Sequence, residues 1–182
     1  MITSLVITVI GPDRPGLVSM LSDRATAWGA NWAESRMANL AGQFAGIVHL
    51  QVPDANVDAL SSALRELESL GLKVIVTRCS PLPVELSGRL IKTEIVGQDR
   101  PGIVRDISRI LADRHISIES LDTEFVSGSW SGENLFETRA KLRVPLTITT
   151  DELRHVLEGL ADALVVDVVS EDTVTQTISA SE

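Results

Sequence analysis

Cysteine is almost absent from this chain of 182 residues, and Cys79 is the single one. No disulfide framework can form within the chain, which suits a reducing compartment. Positive charge is also scarce. Sixteen Lys and Arg stand against 25 Asp and Glu, for a net charge of −9 and an isoelectric point near 4.8. Neutralising nucleic-acid phosphates takes clustered Lys and Arg, and no such cluster occurs. Direct nucleic-acid binding is therefore not expected. Long apolar runs are missing too. The opening MITSLVITVI alternates like a strand, lacks a basic flank and a small-residue cleavage site, and is too short to span a bilayer. These absences predict a soluble cytoplasmic protein without a membrane partner.

The motifs of catalysis are lacking as well. There is no Walker sequence, no G-x-S-x-G and no H-E-x-x-H. His49, His115 and His155 fall in different elements without metal-ligand spacing, so no metal is expected. No His lies near Cys79 to activate a thiol. His49 alternates within an apolar strand, where a half-buried histidine is the simplest reading. Neither a reaction nor a cofactor is expected.

What is present is a repeat. GPDRPGLV spans Gly11 to Val18, and GQDRPGIV spans Gly97 to Val104, 86 residues later. An apolar, β-branched run precedes each copy, Leu5–Ile10 and Leu90–Val96. An apolar helical stripe follows each one. It comprises Leu17, Val18, Leu21, Ala25 and Trp28 in the first, and Ile103, Val104, Ile107, Ile110 and Leu111 in the second. Gly29 is expected to stop the first helix. Two strand-like stretches follow in each copy: 31–39 and 43–52, then 116–126 and 133–144. A second helix carries Leu60, Ala63, Leu64 and Leu67, or Leu153, Val156, Leu157 and Leu160. A last strand closes each half, at 72–77 and 164–170.

Each half thus reads βαββαβ, a ferredoxin-like unit of class α+β, with an antiparallel sheet and both helices on one face. The expected domains are 1–79 and 89–171. A proline-bearing linker joins them at 80–88, and a flexible tail runs from 172 to 182.

The repeated turn has a physical reading. A residue before proline avoids the helical region. This makes Arg14 and Arg100 the expected N-caps, Pro15 and Pro101 the first helical residues, and Gly16 and Gly102 part of the first turn. Glycine is a poor helix former, so its use there suggests that something must approach. Exposed amides at a helix start can hold a carboxylate. The candidate binding residues are therefore Gly11, Asp13, Arg14, Pro15, Gly16, Leu17 and Val18, with Gly97, Asp99, Arg100, Pro101, Gly102, Ile103 and Val104 in the second copy. A plain chain reversal is the competing reading of any one copy.

A strand, then G-x-D-R-P-G-[LI]-V, then a helix, all within βαββαβ, resembles the ACT domain, a family of small ligand-sensing modules that typically regulate amino-acid metabolism. The resemblance covers nearly the whole chain as two copies. The stretch GANWAESRMANLAGQFAG, through Asn31, Glu34, Ser35, Arg36 and Phe44, is similar to a motif of one subfamily. The layout, with a Trp130 loop followed by Phe136, resembles the glycine cleavage system transcriptional repressor family. In copy two the Asn position is Ser117 and the Ser-Arg pair is Leu121-Asp122, so the two sites are expected to differ, with copy one favoured for binding. The resemblance implies an amino-acid ligand whose carboxylate meets the helix-start amides and whose ammonium meets Asn31 or Asp13. Glycine or serine is suggested by the resemblance alone. It also implies a regulatory protein acting through a partner protein or enzyme, with any transcriptional control indirect. A ligand-free scaffold, an allosteric subunit of a separate enzyme and a homodimer remain open alternatives.

Overall fold

The computed structural model describes residues 1–79, 88–127, 134–160 and 164–172. Most of the expected linker, the Trp130 loop and the tail beyond 172 lie outside the described residues. The chain divides into two compact units, Met1–Val84 and Glu85–Glu182.

The first unit runs β1 (Ile2–Pro12), α1 (Leu17–Ala27), β2 (Asn31–Leu40), β3 (Gln43–Pro53), α2 (Val57–Arg65) and β4 (Lys73–Cys79), with short 3-10 turns on either side of α2. The second runs β5 (Arg89–Gln98), α3 (Ile103–Ala112), β6 (Ser117–Ser127), β7 (Asn134–Val144), α4 (Thr150–Glu158) and β8 (Val165–Asp172). The sheets have matching orders, β2-β3-β1-β4 and β6-β7-β5-β8, and every pairing is antiparallel. Both units are ferredoxin-like α+β folds.

The strand period of two sorts side chains by face. Leu5, Ile7 and Val9 of β1 are fully buried and cluster with Leu17 and Leu21 of α1 and Leu60 and Leu64 of α2. The second core repeats this plan with Ile91 and Ile95, Ile107 and Leu111, and Leu153 and Leu157. Three residues expected in the helical stripes fall outside the cores. Val18 and Val104 are 46% and 40% exposed because each lies one step round the helix from the buried row, and Trp28 is 36% exposed because it stands as the C-cap beyond the end of α1.

The connections are built from residues at positive φ. Ala41 (φ 51°) and Gly42 (φ 76°) make the two-residue link between Leu40 and Gln43, as a type I′ hairpin requires. Gly29 (φ 67°) ends α1, with the Ala30 and Gly29 amides donating to Ala25 and Thr26 carbonyls, a Schellman motif. His115 (φ 56°) occupies the same position after α3, with the same bonding from Ile116 and His115. β-bulges recur at equivalent places, between Trp32 and Glu34 and between Ile118 and Ser120.

Candidate functional site

The two repeated turns differ from the sequence expectation in one decisive respect. Gly16 (φ 93°, ψ 0°) and Gly102 (φ 88°, ψ 3°) are themselves the N-caps, in the left-handed region. The helices begin at Leu17 and Ile103, so Arg14 and Arg100 are not the N-caps, and Pro15 and Pro101 precede the helix. These glycine angles are those of the third residue of a type II β-turn, in which proline commonly stands second. In the second copy the closing bond is present, from the Ile103 amide to the Arg100 carbonyl at 3.3 Å. Glycine is required here by its φ. Around Gly16 nothing lies within 4 Å of an added Cβ, so space is not the reason.

Each turn stands at the end of the central strand of its sheet, beside the tip of the adjacent hairpin. Gly11 is level with Phe44, and Phe44 with Asn39. Gly97 is level with Phe136, and Phe136 with Phe125. The two copies therefore place Asn39 and Phe125 at the same point of the fold, and this difference contributes to the turns' different surroundings.

In the first turn the polar groups are tied down. The Asn39 amide donates to the Asp13 carboxylate, and the Asp13 backbone amide donates to the Gly42 carbonyl at 2.9 Å. Arg14 donates to the Leu70 carbonyl at 2.8 Å, linking the turn to the end of the second helical segment. Gly11 is buried beneath it, and a Cβ there would lie 2.5 Å from the Gly71 carbonyl oxygen. Gly11 thus serves a close approach of two backbones.

Asn31 is not brought to this turn. It is level with Gln51, which is level with Ser4, near the other end of β1. The seven-residue offset between Ser4 and Gly11 corresponds to roughly 23 Å along the strand. α1 carries the chain back along the sheet before β2 starts, and this travel separates the two groups. Trp28 lies at the far end of α1 for the same reason.

Beside the second turn lies an open cavity of about 290 Å³. Gly102, Ile103 and Val104 form its helix side. Thr123, Glu124, Phe125 and Phe136 form its hairpin side, and Asp99 and Arg100 stand between. Phe125 is 64% exposed. Arg100 donates to Asp106 at 2.7 Å, and Arg105 donates to the same carboxylate at 2.9 Å. The hydrogen bond from Arg100, then that from Arg105, hold the Asp106 carboxyl below its ordinary range. One row deeper on the same face, Thr123 is opposite Thr138, whose hydroxyl is buried without a partner among the described residues. The cavity offers what a zwitterion needs: helix-start amides and a guanidinium for a carboxylate, and Asp99 for an ammonium, whereas the Glu124 side chain points to the other face of the sheet, towards Arg139.

Of the residues the sequence pointed to, Asp99, Arg100, Gly102, Ile103 and Val104 line this cavity. The hairpin residues were not singled out as ligand contacts. Their signal lay in the register of β6 on β7, which has to be counted back from Gly97 across two strands. A second depression, about 220 Å³, lies on the other face of this sheet among Lys92, Glu94, Asp122, Arg139 and Lys141. Arg139 there is paired with Glu94, Glu124 and Glu137. The mutual pairing reads as a surface ion network. Among the described residues no group of three or more His, Cys, Asp or Glu is placed to hold a metal, and no helix is long and apolar enough to cross a membrane.

Comparison with known proteins agrees with this fold. Two family profiles, each described as ACT domain, match residues 3–77 and 92–124. The glycine cleavage system transcriptional repressor of Escherichia coli (strain K12) is 26% identical over 144 residues, 79% of this chain and 73% of that protein. The repressor of the same name from Shigella flexneri matches to the same extent. A crystal structure of an unknown protein from Galdieria sulphuraria, 27% identical, covers 96% of this chain and 100% of its own with a TM-score of 0.80. With one ACT profile on each βαββαβ unit, the chain is a tandem ACT-domain protein, similar to the glycine cleavage system transcriptional repressors.

Proposed function

We propose that this chain is a non-catalytic regulatory protein that senses a free amino acid and passes the bound state to a partner protein or enzyme. The observation that carries this reading is the cavity at the second turn, where donors for a carboxylate and the Asp99 carboxylate, an acceptor for an ammonium, line one small space. The sequence expectation favoured copy one. Copy two is now the preferred site, because a cavity lies beside its turn, whereas Asp13 of copy one is already hydrogen-bonded to Asn39. The similarity to repressors of the glycine cleavage system supports a role in controlling amino-acid metabolism. A net charge of −9 favours indirect control of transcription through a partner. Residues 1–79 and 89–171 are taken as the two domains, with the second as the sensing one.

The test is calorimetric titration of the twenty amino acids into the wild type and Val104→Trp. Val104 is 40% exposed and lines the cavity, so a Trp there fills the space without entering the core. Glycine-to-valine changes are unsuitable, because a β-branched residue is strained at φ near +90°. Binding in the micromolar to millimolar range is expected for the wild type, with at least tenfold loss in the variant and an unchanged fold by circular dichroism. If no amino acid binds the wild type, the sensor reading fails.

A further inference from the structure

We infer that the ligand of the second-turn cavity carries a large apolar side chain, branched or aromatic, in place of the glycine or serine that the family resemblance suggests. This rests on the sensor reading and deepens it. The hairpin side of the cavity is aromatic. Phe136 is 5% exposed and forms a fixed floor, whereas Phe125 is 64% exposed and forms a wall that faces water. Ile103 and Val104 complete an apolar lining on the helix side. An exposed aromatic beside a cavity gains most from a ligand that removes both from water. A ligand without a side chain would leave Phe125 as exposed as before.

Size points the same way. About 290 Å³ far exceeds the space of a bare glycine skeleton, and a small ligand would leave much of the cavity filled with water. The charged groups fix orientation. With the carboxylate at the α3 start and Arg100, and the ammonium at Asp99, the side chain has only the phenylalanine wall left to meet. The first copy supplies the contrast. Asn39 stands there in place of Phe125 and is bonded to Asp13, so the corresponding wall is polar and engaged.

The experiment is titration of glycine, serine, leucine and phenylalanine into the full chain and into Phe125→Ala. Covering an apolar side chain is worth roughly a 10- to 100-fold gain in affinity. Leucine or phenylalanine should therefore bind the wild type at least tenfold more tightly than glycine, and Phe125→Ala should reduce that preference to within about threefold. Because Phe125 is largely exposed, the variant should fold, as near-identical amide spectra away from residue 125 would verify. If glycine or serine binds as tightly as leucine or phenylalanine, the inference is overturned and the sensor reading stands. If the apolar preference survives intact in Phe125→Ala, the site assignment is overturned. If none of the four binds while an amino acid with a polar side chain does, the apolar class is wrong. Silence from all twenty overturns both readings.

Discussion

Two buried hydroxyls show how much a single residue can cost. Thr93 and Thr138 are each 1% exposed, and neither hydroxyl has a hydrogen-bond partner among the described residues. A buried polar group left unpaired costs about 1–3 kcal/mol. The first unit avoids this. Thr93 lies four residues before Gly97, and the residue four before Gly11 is Ile7, fully buried in the apolar core. Thr93→Val keeps the shape and removes the hydroxyl, so it should stabilise the protein by about 1 kcal/mol, read as a higher urea midpoint with an unchanged slope. A loss of stability would show that the hydroxyl has a partner, such as a buried water.

At the scale of elements, two helices are fastened at their starts by carboxylates. Asp106, in the first turn of α3, accepts from Arg100 and Arg105. Glu152 of α4 accepts from the Thr149 amide at 2.8 Å, and the Thr149 hydroxyl accepts from the Glu152 amide, which completes a capping box. Both carboxyls are held below their ordinary values of 3.8 and 4.5, Asp106 by its arginines and Glu152 chiefly by the Thr149 backbone N–H. A folded-state pKa below the unfolded one adds stability that is fully present above the unfolded value and is lost as pH falls through the folded one. Unfolding midpoints should therefore be steady from pH 7 to about 5, where carboxylates remain ionised, and fall at lower pH. The double variant Asp106→Asn, Glu152→Gln should be less stable at pH 7 and show a shallower acid fall. An unchanged acid profile would mean that other carboxylates govern it.

For the whole molecule, charge sets the expectation. Net charge is −9, and among the described arginines many are paired with acids, Arg78 with Asp58 and Arg143 with Glu119 among them. Such a surface offers phosphates little to bind, since affinity for DNA rises with the number of neutralising cations. No retardation of duplex DNA is expected at about 0.1 M salt, a concentration at which basic DNA-binding domains still hold non-specifically. Retardation that weakens steeply with added salt would show direct binding and remove the need for a partner.

Much of the architecture was already determined by the sequence. The repeated D-R-P-G signature, the alternation of the strands and the apolar stripe of the helices each act over a few residues, and they define two βαββαβ units without reference to distant parts of the chain. Pro-Gly at 15–16 and 101–102 also marked a turn before a helix. Its conformation was legible in principle, since glycine after proline suits positive φ, yet helix-start rules led to a different assignment of the caps. Tertiary structure alone decided which side chains meet the turns. α1 returns along the sheet, so Asn31, only 15 residues beyond Gly16 in sequence, ends level with Ser4, and Asn39 arrives beside Asp13. In the second unit the same path brings Phe125 to that place and leaves a cavity. Local rules fix each element, but a site is formed where separate elements end at the same height, and that depends on strand lengths, bulges and register across the sheet.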